Sequence, residues 1–119
     1  MPSVAIVGAS NDPDKFGNKA VRAYLRKGWT VYPINPRTKE IAGLATFPTL
    51  DDVPHPIDRV AFYVPPEIGI DVLDAVRRKG IPELFLNPGS ESDALVARAE
   101  ALGVNAIQAC AIVDIHERP

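Results

Sequence analysis

At 119 residues the chain has the length of one ordinary domain, too short for a nucleotide-binding domain plus a separate catalytic one. A hydrophobic fraction of 46% against 24% charged residues suits a soluble globular protein, and no apolar run approaches the ~20 residues of a membrane span. The net charge of −2 lacks the broad cationic field that drives nucleic-acid binding, and a single cysteine, Cys110, builds neither an internal disulfide nor a thiolate metal site.

Met1 to Val7 reads as the start of a strand rather than a basic and apolar leader, so a cytoplasmic location is expected. The strand Val4 to Val7 runs into Gly8-Ala9-Ser10, a polar turn and then Gly17 at the mouth of a helix. Phe16, Ala20, Tyr24 and Leu25 recur at helical spacing and are expected to line its buried face, with Gly28 as the stop. A second strand, Thr30 to Ile34, carries Pro33, whose missing N–H predicts irregular pairing there. A weak strand near Ala45 to Phe47 precedes the proline-rich connection Pro48 to Pro56, where one short helical turn is expected at Asp51.

The next strand, Arg59 to Val64, leads to a helix with Pro66 and Glu67 in its first turn, where proline's missing N–H is no loss and a carboxylate complements the helix dipole. Ile68, Val72, Ala75 and Val76 are expected to form its buried face, and Gly80 ends it. Glu83 to Leu86 is a fourth main strand. Ser90 or Ser92 caps a third helix marked by Leu95, Ala99 and Leu102 and ended by Gly103, and Val104 to Gln108 is the last strand. Strands that are apolar nearly throughout, alternating with amphipathic helices, predict a Rossmann-like α/β three-layer sandwich: a mainly parallel sheet of five or six strands, helices on both faces, one domain over residues 1–119.

Ligands of such sheets bind outside the carboxyl ends of the strands, so four loops are expected to converge on one crevice. In the first, Gly8, Ala9, Ser10 and Gly17 let backbone N–H groups approach an anion at a helix N-terminus, and Lys15 adds a charge. The loop departs from GxGxxG, since Ser10 replaces the second glycine and Gly17 comes late. The second loop, Asn35-Pro36-Arg37-Thr38-Lys39, has no acid until Glu40; Arg37 and Lys39 suit an adenosine whose ribose is phosphorylated, as in coenzyme A or NADP. Val64 and Pro65 offer stiff apolar surface to flank a nucleotide. Asn87 and Pro88 follow the fourth strand and offer an amide. Each loop also has a plain reading as a strand-to-helix turn or a solvated surface.

No catalytic set is visible. His55 lies between prolines, His116 lies in the tail, and Ser10 has no GxSxG context. Cys110 follows the last strand and is a candidate for a thiol-reactivity test.

The ordered set SVAIVGAS, delayed Gly17, VYPINP, FYVPPE, LNPGSES and a late cysteine followed by an acid resembles the small stand-alone CoA-binding proteins. These in turn resemble the N-terminal Rossmann-like domain of the succinyl-CoA synthetase α subunit. The resemblance covers essentially the whole chain. It implies that Gly8, Ala9, Ser10 and Gly17 hold phosphates, that Asn35, Pro36, Arg37 and Lys39 meet the adenosine phosphate region, that Val64 and Pro65 flank the nucleotide, and that Asn87 and Pro88 close the pocket. The chain departs from the family pattern at Asn87, Ser90 and Asp114, where Gln, Ala and Glu are commoner, and it lacks the second domain that carries the synthetase's phosphorylated histidine. The expectation is therefore a binder of coenzyme A or an acyl-CoA without catalysis of its own. The rivals are an NADP-binding reductase-like protein, a trans-acting component of an acyl-CoA ligase, and a protein with a vestigial crevice that acts on a protein partner or as a homo-oligomer.

Overall fold

Apolar residues alternate sides along β1 (Ser3–Val7), and both sides are buried: Ala5 and Val7 join one core, Val4 and Ile6 the other. That two-sided burial makes β1 the centre of a sheet covered on both faces. The computed structural model describes Met1–Pro119 and places β1 in a five-stranded sheet with β2 (Thr30–Ile34), β5 (Arg59–Phe62), β6 (Glu83–Leu86) and β7 (Ala106–Gln108). The order is β2-β1-β5-β6-β7 and every pairing is parallel.

Helix α1 (Phe16–Arg26) and the short α4 (Ala111–Asp114) cover one face, through Ala20, Val21, Tyr24 and Ile112. Helices α2 (Pro66–Arg78) and α3 (Asp93–Ala101) cover the other, through Leu73, Val76, Leu95 and Ala99. The architecture is the expected Rossmann-like α/β sandwich. Because β2 and β5 flank β1 on opposite sides, the strand order reverses between β1 and β5, and the crevice of such a sheet opens there.

Pro33 pairs in register with Ile6, contrary to the expected irregularity. β2 is an edge strand, and Pro33 turns its N and C=O outward, where its carbonyl accepts from Phe47 N at 2.9 Å. The missing donor therefore costs no bond to β1. The weak sixth strand does not join the sheet. Phe47 makes one isolated parallel bridge to Ile34, and the preceding residues form a two-stranded hairpin, β3 (Glu40–Ile41) with β4 (Leu44–Ala45). The helical turn near Asp51 is present as a 3-10 turn at Leu50–Asp52. The strands expected to end at Val64 and begin at Val104 are shorter, and α4 has no counterpart in the sequence reading.

Two helix faces match expectation in part: Ala20 and Tyr24 of α1 and Ala75 and Val76 of α2 are buried, whereas other expected positions are not. Phe16 is 56% exposed and Ile68 51% exposed, and Leu25 is also exposed. Gly17, Val21 and Ala23 in α1 and Gly69 and Leu73 in α2 complete the core faces. At the opposite end of the sheet from the crevice, Arg59 ties the layers together. Its guanidinium donates to Glu83 and Asp114, both at 2.8 Å, and to Tyr24 Oη, and lies between the rings of Trp29 and Phe85.

Candidate functional site

The loops after β1, β2, β5 and β6 meet along the carboxyl edge of the sheet and frame one groove of three joined compartments. The first, about 460 Å³, lies between the β2 loop, the 3-10 turn and α2. Val7, Ile34, Leu50, Val64, Ile68 and Val72 give it an apolar lining, with Asn35 and Pro36 at one side. The middle compartment, about 340 Å³, shares Gly8 and Val64 with the first and adds Lys15, Gly17, Pro65, Pro88 and Ser90. The third, about 220 Å³, shares Phe16, Tyr63 and Pro88 with the middle and ends at Asn87 and Cys110.

The middle compartment is built around the start of α1. The N-cap residue, Lys15, makes no side-chain capping bond, and the first turn carries no acid. The N–H groups of Phe16 and Gly17 find no acceptor within the chain. The positive end of the helix thus faces the groove unneutralised. Gly17 is there because the chain leaves no room for more: a Cβ would stand 2.2 Å from Gly8 O. Gly8 has φ +93° and a Cβ on it would stand 2.7 Å from Tyr63 O, so glycine is required at both positions to bring the β1 loop, the β5 loop and α1 together.

Of the other residues of the first loop, Ala9 is buried, and its carbonyl accepts from Asn35 Nδ2 at 2.9 Å. Ser10 points its hydroxyl back to Asp12 N, and its carbonyl accepts from Asn18 Nδ2, so the loop is braced by its own chain and by the β2 loop. In the β2 loop Asn35 Oδ1 accepts from the N–H groups of Arg37 and Thr38 at 2.8 and 2.9 Å, an Asx turn that fixes the path of the backbone. Arg37 and Lys39 are exposed, make no ion pair and lie outside the lining of the first compartment. The charges that do line it are Asp71, Asp51 and Arg78, the last two paired at 2.6 Å. Sequence reading missed these three; their only signal was position, on one side of α2 and in the proline-rich connection.

Asn87 is 3% exposed and spends both ends of its amide inward: Nδ2 donates to Phe62 O at 2.9 Å and Oδ1 accepts from Ala111 N at 2.8 Å. It holds the β6 loop and α4 to the end of β5. Val64, Pro65 and Pro88 line the groove without polar side chains. Cys110 precedes α4 and is half-buried at the far end of the groove. Close by, Tyr63 Oη is the one buried side-chain polar atom without a hydrogen-bond partner, and burial, followed by the proximity of Cys110 and Tyr24, holds its pKa well above the ordinary tyrosine range. His55 stacks on Tyr32 on the surface, and His116 lies in the C-terminal tail; neither lines the groove.

Residues 2–116 match a protein family described as the CoA binding domain. Among curated relatives, the α subunit of the ADP-forming acetate–CoA ligase II of Pyrococcus furiosus is 32% identical over 79 residues, which are 66% of this chain but 17% of that subunit. An ADP-forming acetate–CoA ligase of Methanocaldococcus jannaschii is 34% identical over 79 residues, 66% of this chain and 11% of the ligase. The chain thus spans under a fifth of each of these ligases. Among solved structures, a conserved hypothetical protein of Pyrococcus furiosus superposes with a TM-score of 0.86 at 32% identity, over 96% of this chain and 99% of that one. A dinucleotide-forming acetyl-coenzyme A synthetase of Candidatus Korarchaeum cryptofilum superposes with a TM-score of 0.78 at 32% identity, covering 90% of this chain and 25% of that one.

Proposed function

The chain belongs to the family of CoA-binding domains, and from that premise we propose that it binds coenzyme A or an acyl-CoA along the groove without chemistry of its own. The observation that carries this reading is the uncapped start of α1, whose free N–H groups, with Lys15 beside them, face the middle of a groove too long for a phosphate alone. Gly8 and Gly17 support the reading indirectly: only without side chains can the β1 loop, the β5 loop and the start of α1 pack this closely and bring those N–H groups to the groove.

In this reading the diphosphate sits against Gly8, Ala9, Ser10, Lys15 and Gly17. The adenine enters the apolar first compartment between Pro36, Val64 and Ile68, with Pro65 at its exit. The acids that line this compartment oppose a phosphate inside it, so the phosphorylated ribose turns outward to the unpaired cations Arg37 and Lys39, beyond Asn35. The pantetheine arm runs past Pro88 to the compartment walled by Asn87 and Cys110. Residues 1–119 act as one domain whose ligand is a small nucleotide rather than a nucleic acid or a membrane.

Calorimetric titration with CoA, dephospho-CoA, NADP and NAD tests the reading. CoA should bind more tightly than dephospho-CoA, and the gap should narrow as salt rises, because exposed charge contacts are screened. Equal affinity for the two would remove Arg37 and Lys39 from the site, and preference for NADP would overturn the ligand. The likeness to the acetate–CoA ligase α subunit favours a second reading, a trans-acting component of an acyl-CoA ligase. It predicts that the protein raises CoA-dependent turnover when added to the remaining subunits of such a ligase.

A further inference from the structure

Two serines precede α3, and the structure divides their work. Ser92 is the N-cap: its Oγ accepts from Leu95 N at 3.1 Å. Ser90 caps nothing. Its N–H closes a turn onto Asn87 O at 2.9 Å, and the turn itself is held by Asn87 between Phe62 O and Ala111 N. The residue is only 4% exposed, yet its hydroxyl makes no hydrogen bond to any group of the chain. Nor is that oxygen sealed away, since Tyr63 Oη alone is both buried and unpartnered. Ser90, from the β6 loop, lines the same compartment as Lys15, Phe16 and Gly17 at the start of α1. A hydroxyl held in a rigid turn, open to the groove and without a partner in the chain, is free to bond whatever occupies the groove.

We propose that Ser90 is a ligand-binding residue, its hydroxyl donating to a phosphate oxygen of a diphosphate ester held at the start of α1. The site then has two walls: main-chain N–H groups and Lys15 on the α1 side, and a neutral donor on the β6 side. A diphosphate offers oxygens in several directions, and one helix terminus reaches only those that face it. A donor on the β6 side fixes the rotation of the group about the groove axis. Asn87 acts through Ser90, as a positioning residue. This proposal rests on the CoA-binding reading of the groove.

The test is titration of wild type and Ser90→Ala with CoA, ADP and pantetheine, alongside thermal unfolding of both proteins. Loss of one hydrogen bond to a charged acceptor should weaken CoA and ADP alike by about 10-fold, leave pantetheine unchanged, and keep the unfolding midpoint of the wild type. Because Ser90 is neutral, the ratio between wild type and variant should hold as salt rises, unlike the contribution of Lys15. Ser90→Cys, close in size and a poor donor, should reproduce the loss and serves if the alanine variant does not fold. Unchanged CoA affinity in the variants, or a loss shared by pantetheine, overturns the role of Ser90 while the groove reading stands. A wild type that takes up none of the three ligands sinks the reading itself.

Discussion

Tyr63 shows how a single side chain can be present at a cost. Its ring packs beside Cys110 in the layer formed by α1 and α4, but its hydroxyl is left without a partner in the interior. Tyr63→Phe removes the orphan and keeps the ring, so it should stabilise the fold by about 1 kcal/mol in urea unfolding; a loss of stability would show that the hydroxyl has a partner in solution. The pH dependence has a definite sign. Burial raises the pKa of Tyr63, and also that of Tyr24, where burial outweighs the opposing hydrogen bond from Arg59. In the unfolded chain both ionise near the ordinary value of about 10. The folded state then holds more protons than the unfolded one, so this contribution is intact below about pH 10 and declines above it, by roughly 1.4 kcal/mol per pH unit for each tyrosine. Tyr63→Phe should halve that slope in an alkaline unfolding series, and an unchanged slope would refute the assignment. Gly17 gives the opposite case, a residue whose absent side chain is essential. Gly17→Ala drives a methyl against Gly8 O and should cost about 1–3 kcal/mol of stability in thermal or urea unfolding.

The elements were legible in the sequence where backbone chemistry speaks and less so where burial decides. The β1 strand, the helix starts at Phe16 and Pro66, and the order of the loops followed from apolar runs, glycine stops and proline at the first helical turn. The buried faces of α1 and α2 followed only in part, through Ala20, Tyr24, Ala75 and Val76. Phe16 and Ile68 are apolar, at the first turns of their helices, and sit on the groove rather than in the core. Periodicity counts an apolar residue the same way whether it faces a core or a ligand cleft, so it assigned both first-turn residues to the core. The site shows the same division. Gly8 and Gly17 stood out because glycine marks close approach, whereas the lone hydroxyl of Ser90 is visible only once Ser92 is seen to cap α3. α4 was illegible because it is four residues long and held by distant partners: Ala111 N donates to Asn87 Oδ1, Ala111 O accepts from Tyr24 Oη at 2.7 Å, and Asp114 meets Arg59. Asn87→Ala leaves Phe62 O and Ala111 N unpaired and should cost about 2–4 kcal/mol. Hydrogen exchange should then quicken at Ala111 and through α4 while the amides of β1 keep their protection; uniform change would mean that α4 is not a separately anchored element.

At the scale of the whole molecule the groove matters more than any one loop, because its ends lie on different elements. The first compartment depends on the β2 loop, the 3-10 turn and α2, the last on the β6 loop and α4, and only the middle belongs to the β1 loop and α1. A ligand that reaches from end to end therefore bridges both halves of the doubly wound sheet, across the point where strand order reverses between β1 and β5. Cys110 reports on that reach, since it is the single cysteine and lies at the far end. Iodoacetamide should alkylate it in the free protein, with the modified peptide followed by mass spectrometry. Saturating desulfo-CoA, which keeps the arm but has no thiol to consume the reagent, should slow the reaction several-fold if the arm covers the last compartment. Adenosine 3′,5′-bisphosphate has the same nucleotide end but no arm, and at saturation it should leave the rate near that of the free protein. Equal protection by the two would mean that Cys110 responds to a general tightening of the fold on binding. Protection by neither, with desulfo-CoA bound, would mean that the arm leaves the groove before α4 and that the third compartment serves no part of the ligand.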